Sequence, residues 1–266
     1  MIDSTFILQV IFSFIVGSLW ILMTTLFADR FGSKIGGFIG GLPSTAAVSF
    51  FFIGLTQSPQ AAALATTVFP MSYAFTGLFL ILYALFWRKG FIPAFGFSIS
   101  AWFFLSACVV LLKIDNFIVS VCLYFLFFIF AVYILEYRLK LPSIGKADIH
   151  YSALQYLIRA VFGGFVVALA VFLSRIGGPV FGGIFSAFPA VFISILFINY
   201  RSRGMKFSRA MTKPLLVTGM ISIFMYGLGV RYLYPSLGLW WGTLGAYVFS
   251  LVGALLSYHL IQKNLS

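Results

Sequence analysis

Two prolines lie in glycine-rich apolar segments, and both could open a helix backbone inside a membrane. Pro43 follows Gly40 and Gly41, and Pro189 lies in the similar segment FGGIFSAFPAVFISILFIN. Proline has no amide hydrogen and its ring clashes with the preceding turn, so carbonyl groups nearby lose their partners. A helix that restarts after such a break points free N–H groups and a partial positive charge at the gap. The pattern predicts two backbone breaks that together bind an anion; gentle proline bends without a site are the alternative.

Two basic and two amide side chains lie inside or near apolar segments. Arg159 and Lys213 sit about two turns and one turn into theirs, where a charge costs ~2.5–3.5 kcal/mol or more at the membrane centre. They either line a positive cavity or extend to the headgroups. Gln9 and Gln155 lie in different parts of the chain. Their side chains either form hydrogen bonds across the boundary between these two parts or cap the ends of their own helices.

The sequence offers little for catalysis. It has no paired carboxylates, nucleophile motif, phosphate-binding glycine loop or metal-ligand spacing. The acidic residues all fall at segment ends or in connectors: Asp3, Asp29, Asp115, Glu136 and Asp148. We therefore predict that the protein is not an enzyme and has no catalytic residues, metal site or cofactor. A carboxylate for proton or sodium coupling within the membrane is also missing.

The elements that hold these residues must be membrane-spanning helices. The chain is 62% hydrophobic and only 8% charged, whereas soluble domains carry about 25% charged residues. Its apolar runs are long and barely alternate, which excludes a barrel and favours helices of ~20 residues. We predict nine spans, at about 5–27, 35–56, 60–86, 91–112, 117–136, 153–174, 178–200, 209–232 and 237–261.

The basic residues predict the orientation of the spans. Twelve of them lie in the tail or in connectors after odd-numbered spans, and three lie on the other side: Lys113, Arg175 and Arg231. The positive-inside rule then places the N-terminus outside and the C-terminus in the cytoplasm, with the protein in the inner or plasma membrane of the cell. The net charge of +12 is explained by this rule, so we expect no nucleic-acid partner.

The two parts of the chain resemble each other at a fixed offset. Pro189 follows Pro43 by 146 positions (189 − 43), and Gln9 with Gln155 and Gly17 with Gly163 keep the same offset. Span 1 would match span 6, and an offset of five spans reverses direction through the membrane. We predict inverted repeats of five and four spans, at 1–136 and 153–266, joined by a cytoplasmic linker at 137–152. An old duplication kept for stability alone is the alternative.

One stretch resembles a known family. Gly41, Pro43, Ser44, Ala46 and Gly54, followed by QAAALATTVF, are similar to the GlpM-type family of small bacterial inner-membrane proteins. The resemblance covers residues 35–75 and implies a duplicated relative of a protein about half this length. It supplies neither a substrate nor catalytic residues.

These observations favour a transporter. Inverted repeats with a site at the midplane are a common plan of secondary transporters. We expect transport or export of a small anionic or amphipathic molecule, with the lipid bilayer and this substrate as the partners. A non-transporting scaffold or accessory protein and a lipid flippase are the alternatives, and the oligomeric state is open.

Overall fold

The computed structural model describes residues 3–30, 42–139, 141 and 152–264, which form helices joined by short connections. No strand occurs in these ranges. The α-helices are numbered here in chain order: α1 Ser4–Arg30, α2 Ser44–Thr56, α3 Pro59–Ala65, α4 Phe69–Phe86, α5 Phe91–Leu111, α6 Phe117–Tyr133, α7 Ala153–Gly177, α8 Pro179–Ser186, α9 Ala190–Ala210 and α10 Thr212–Asn264. A 3-10 turn, Trp87–Lys89, follows α4, and a π-helix, Ile134–Arg138, follows α6.

Several of these helices could cross a membrane. In the described part of the chain, seven helical segments are long and apolar enough by length and composition: Ser4–Phe27, Phe69–Lys89, Phe91–Leu111, Phe117–Arg138, Ala153–Gly177, Pro179–Ala210 and Thr212–Ser257. The sequence interpretation of an all-helical, multi-pass chain agrees with this finding. The helix α2 is shorter, and residues 35–41 of its predicted span, including Gly40 and Gly41, lie outside the described residues.

The bundle has a protein-covered centre and an apolar exterior. In its most apolar window, α4 is 78% buried and the α8–α9 segment 72%, whereas α1 and α6 are each 22% buried. Exposed side chains on α1 and α6 include Leu8, Phe12 and Ile129. The exterior therefore suits lipid tails, while α4, α8 and α9 form the centre of the bundle.

The helices α1 and α7 pack against each other through small residues. A Cβ added at Gly17 would lie 3.2 Å from Val167, and one added at Gly163 would collide with Ile21. Between these contacts, a Cβ at Gly164 would collide with the Ser18 hydroxyl. Close approach of this kind is the usual basis of helix association in lipid, where burial of apolar surface drives little.

The long helix α10 is a hairpin. Its backbone leaves the helical conformation at Gly238, with φ 73° and ψ −178°. Glycine adopts this positive φ without the steric cost that other residues carry. The residues after it pack back on those before it: Ala246 lies against Gly229, and the hydroxyls of Ser250 and Ser222 are 2.8 Å apart.

Two further prolines follow interruptions of the helical backbone. Pro70 and Pro214 lie in the first turn of a helix, in α4 and α10. The chain breaks before them, at Thr66–Val68 and at Met211. Proline is favoured in a first turn, because the amide hydrogen that it lacks would have no partner there.

Candidate functional site

The helices α2 and α9 begin in the same way, immediately after a proline. Pro43 and Pro189 are the residues that precede them. The amide of Ser44 donates to the Leu42 carbonyl at 2.8 Å, and the amide of Ala190 donates to the Phe188 carbonyl at the same distance. Neither helix start has a side-chain cap. Both first turns therefore keep amide hydrogens that no side chain satisfies.

These two helix starts line one partly open space. Four groups of residues surround it: Leu42, Ser44, Thr45 and Ala46 at the start of α2; Tyr73 and Thr76 on α4; Ser186, Phe188, Pro189, Val191 and Phe192 around the α8–α9 break; and Ile223 on α10. The centre of a water-sized sphere can occupy about 20 Å³ of this space. One water needs about 10–15 Å³ by this measure. In this conformation the space holds about one water or one small ligand group.

Two buried hydroxyl groups in the lining have no hydrogen-bond partner among the described residues. They are Tyr73 Oη and Ser186 Oγ, in residues that are 4% and 2% exposed. The ring of Tyr73 is held between Phe69 and Phe192, with centroid distances of 5.8 and 6.4 Å. Leaving a buried hydroxyl unsatisfied costs about 1–3 kcal/mol. Two residues that line the space thus have hydrogen-bonding groups that no described residue satisfies.

A hydrogen-bond relay supports the wall of the space at the α8–α9 break. The Trp102 indole donates to Thr76 Oγ1 at 3.1 Å, and the Thr76 hydroxyl donates to the Ala187 carbonyl at 2.7 Å. The break releases the Ala187 carbonyl, whereas the Phe185 carbonyl still accepts from the Phe188 amide at 3.2 Å. Thr76 thus satisfies the freed group and fixes α4 against the break.

The electrostatics of the space favour negative charge. Helix starts carry partial positive charge, and two of them are directed at one small volume. The described residues that line it include no acidic or basic side chain. Its polar groups are hydroxyls and backbone amides. These are uncharged groups that can donate hydrogen bonds to an anion.

Only some of the predicted site residues lie at this space. Pro189 lines the space, and Pro43 lies at the start of α2 beside the lining residues Leu42 and Ser44. Arg159 is 8% exposed on the packed face of α7, but it is not among the lining residues. Gly40 and Gly41 fall outside the described residues.

The two glutamines also lie away from this space. Gln155 completes a capping box at the start of α7, where its Oε1 accepts from the Ser152 amide at 2.9 Å. This matches the capping alternative for Gln155. Gln9 is half-buried on α1, and its role stays a prediction.

Lys213 pairs with an acid instead of lining the space. Its Nζ is 2.6 Å from Glu136 Oε2, in the π-helix after α6, and 3.4 Å from the Leu141 carbonyl. The side chains of Lys213 and Glu136 are 9% and 25% exposed. The sequence separates them by 77 positions (213 − 136), so spacing alone could not predict the pair.

We expect Glu136→Gln to destabilise the protein by about 1–3 kcal/mol, because it removes the negative charge that lies 2.6 Å from the largely buried Lys213 ammonium group. Lys213→Met should cost less, since Glu136 is the more exposed partner. The double variant should be more stable than the sum of the single effects predicts. Thermal unfolding of the purified variants measures this, with the exposed Lys113→Met as the control. Additive effects would contradict a coupled pair.

Comparison with known proteins adds a family match in the second part of the chain. The model of a family described as a protein of unknown function (DUF3147) matches residues 156–263. This range contains the α8–α9 break with Ser186, Val191 and Phe192. No curated protein and no solved structure matches the chain.

Sequence reasoning missed the hydroxyl-bearing residues of the space. Tyr73, Thr76 and Ser186 lie in apolar segments without a distinctive motif. Ser186 offered a weak signal, because it lies three positions before Pro189. Tyr73 and Thr76 gave another: they are polar residues at helical spacing shortly after Pro70.

Proposed function

We propose that this protein is a membrane carrier for a small solute, anionic or amphipathic, bound where α2 and α9 begin. One observation carries the proposal: two helix starts from different parts of the chain line the same space, together with two unpartnered hydroxyls. Broken helices that direct their N-termini at a ligand are a recurring feature of secondary transporters.

The local geometry at the two breaks supports an inverted repeat. The first residues of α2 and α9 are Ser44 and Ala190, and 190 − 44 is again 146. The next amide bonds also correspond, from Ala47 to the Pro43 carbonyl at 3.1 Å and from Ile193 to the Pro189 carbonyl at 2.8 Å. The same offset thus relates residue types and backbone hydrogen bonds.

The packing of α1 on α7 has the symmetry that such a repeat requires. At an offset of 146, Gly17 corresponds to Gly163 and Ile21 to Val167. A twofold rotation that exchanges the two repeats would therefore convert the contact of Gly17 with Val167 into that of Gly163 with Ile21. Ser18 corresponds to Gly164, and these two touch each other. We propose that a pseudo-twofold axis passes between them.

The remaining helices fit two repeats of this kind. Gly90 before α5 and Gly238 within α10 share a positive φ, of 93° and 73°, and a ψ near 180°. In our proposal α1–α5 form one repeat and α7–α10 the other, while α6 has no counterpart. Dividing α10 at Gly238 and counting α2 gives the nine predicted spans.

A duplication would account for the two repeats. The resemblance to the GlpM-type family lies in residues 35–75, whereas the DUF3147 match lies in residues 156–263. We propose that the two parts descend from one duplicated unit of about four spans, and that they diverged far enough to match different patterns.

The proposed orientation has the N-terminus outside and the C-terminus in the cytoplasm. In a variant in which Cys108 and Cys122 are replaced by serine, cysteines at Gln60 and Lys113 should react with an impermeant thiol reagent in intact cells. Cysteines at Arg88 and Arg203 should react only after permeabilisation, because the positive-inside rule assigns them to the cytoplasm. All four positions are exposed in the structure, so burial does not limit the reaction. Labelling of all four from outside would contradict the topology.

The experiment that tests transport compares small-molecule contents of cells with and without the protein, without a preselected substrate. Compounds that differ are then offered to liposomes containing the purified protein. Saturable uptake is expected for at least one. Thr45→Phe should abolish it, because Thr45 lines the space, whereas Thr56→Phe, at the other end of α2, should not. If no compound moves, a scaffold or accessory role replaces the carrier; movement of labelled phospholipid alone favours a flippase.

A further inference from the structure

We propose that the space between the starts of α2 and α9 binds one singly charged anion of carboxylate size, alone or as the headgroup of a small organic acid. The inference names the ligand class of the site on which the proposed function rests. It also assigns Tyr73 and Ser186 as ligand-binding residues.

The backbone supplies the first donors. The starts of α2 and α9 lack capping side chains, and Thr45, Ala46, Val191 and Phe192 of their first turns line the space. The two helices contain 13 and 21 residues, long enough for each to carry a dipole. Two positive helix ends at one volume repel a cation and attract an anion.

The side chains supply a second, independent set of donors. Tyr73 Oη and Ser186 Oγ are buried and unpartnered among the described residues, and both residues line the space. A hydroxyl can donate to a carboxylate or a halide. In this conformation both oxygens are closed to a water-sized sphere, so they can reach an anion only as the surrounding helices move apart. By contrast, the acceptor at the break, the Ala187 carbonyl, is already occupied by Thr76. The two hydroxyls can accept as well as donate, so the preference for an anion comes from the amides of the two helix starts, which can only donate.

The size and charge of the lining limit the anion. A space of about 20 Å³ for the centre of a water-sized sphere suits one small group, not a phosphate ester or a dicarboxylate. No lysine, arginine or histidine among the described lining residues could balance a second negative charge. The adjoining walls, Phe188, Phe192 and Ile223, are apolar and would accept a short hydrocarbon tail as the helices move apart.

The test uses the purified full-length protein in detergent and a sulfate buffer, with chloride, acetate, butyrate and benzoate as probes. Butyramide and butylamine have nearly the shape of butyrate without its negative charge. We expect at least one of the anions to bind. Butyramide, which is neutral, and butylamine, which is cationic, should bind at least about 10-fold more weakly, since hydrogen bonds to an anion are stronger than those between neutral groups. Titration calorimetry and the rise in unfolding temperature with ligand concentration both measure this.

Substitutions locate the binding. Tyr73→Phe and Ser186→Ala should each lower the affinity for the bound anion about 10-fold, because each removes one hydrogen bond to a charged group. Tyr124→Phe and Ser106→Ala are matched controls: both residues are buried, but neither lines the space. They should leave the affinity unchanged. Unfolding temperatures without ligand verify that all four variants fold.

The inference is overturned if no anion of the series binds, if butyramide binds as tightly as butyrate, or if the two lining variants weaken binding no more than their controls. These results are separate from the transport assay. Uptake of a neutral solute that Thr45→Phe abolishes would keep the carrier and remove the anion site. Anion binding that depends on Tyr73, without transport of any solute, would keep the site and remove the carrier.

Discussion

Gly164→Leu is expected to cost the protein at least about 3 kcal/mol of folding free energy, the upper part of the range for overpacking. A Cβ at this position would lie 2.7 Å from the Phe14 carbonyl oxygen and 2.9 Å from the Ser18 amide nitrogen. Both are main-chain atoms of α1, so no side-chain rotation relieves the collision. The helices α1 and α7 would have to separate along their length, which loses most of the contact that positions the two parts of the chain.

Gly96→Leu is the matched control for this change. Gly96 is also a helical glycine, on α5, and a Cβ there meets nothing within 4 Å. Leucine favours a helix over glycine by about 0.5–1 kcal/mol, so Gly96→Leu should be neutral or stabilising. Thermal unfolding of both purified variants measures the difference. If both variants unfold at the same temperature, the close approach of α1 and α7 is not what stabilises the bundle.

Thr76→Val is expected to have the second large effect, roughly 2–5 kcal/mol. Valine has almost the same shape, but it leaves both the Trp102 indole N–H and the Ala187 carbonyl without a partner. These groups are 1% and 0% exposed, and each buried orphan costs about 1–3 kcal/mol. The variant should also lose anion binding, since the Ala187 carbonyl belongs to the break that shapes the space.

Thr76→Ser separates the hydroxyl from the shape of the side chain. Serine keeps the donor and the acceptor and loses one methyl group, worth about 0.8 kcal/mol. Its unfolding temperature should therefore lie close to that of the unchanged protein and well above that of Thr76→Val. When the other four tryptophans are replaced by phenylalanine, the fluorescence of Trp102 offers a local measure, because the indole loses its hydrogen bond in the valine variant only. Equal stability of the two variants would show that water replaces the relay.

The sequence allowed the helical class and one break of this site to be predicted, because both depend on local chemistry. The long apolar runs require helices, and Pro189 cannot continue the helix before it. The start of α2 at Ser44 follows from Pro43 in the same way.

The residues that complete the space could not be predicted, because they depend on which helix lies at the centre. Tyr73 and Thr76 lie on α4, and its apolar sequence does not differ enough from that of α5 or α6 to mark it as the central helix. Arg159 and Lys213 are candidate site residues in the sequence because charged side chains are rare in apolar segments. Lys213 is stabilised by Glu136, through a contact between distant helices that no local pattern reveals.

The pairing of α1 with α7 has a consequence for how the protein is made. The first helix begins at Ser4 and its partner at Ala153. At about 5–20 residues per second, the ribosome needs roughly 7–30 s to reach the partner. During this interval the small-residue face of α1, at Gly17 and Ser18, has no mate from its own chain. Quality-control proteases in the membrane thus meet a half-made molecule whose first helix is unprotected, and any slowing of translation before α7 should lower the yield of protein without changing the finished fold.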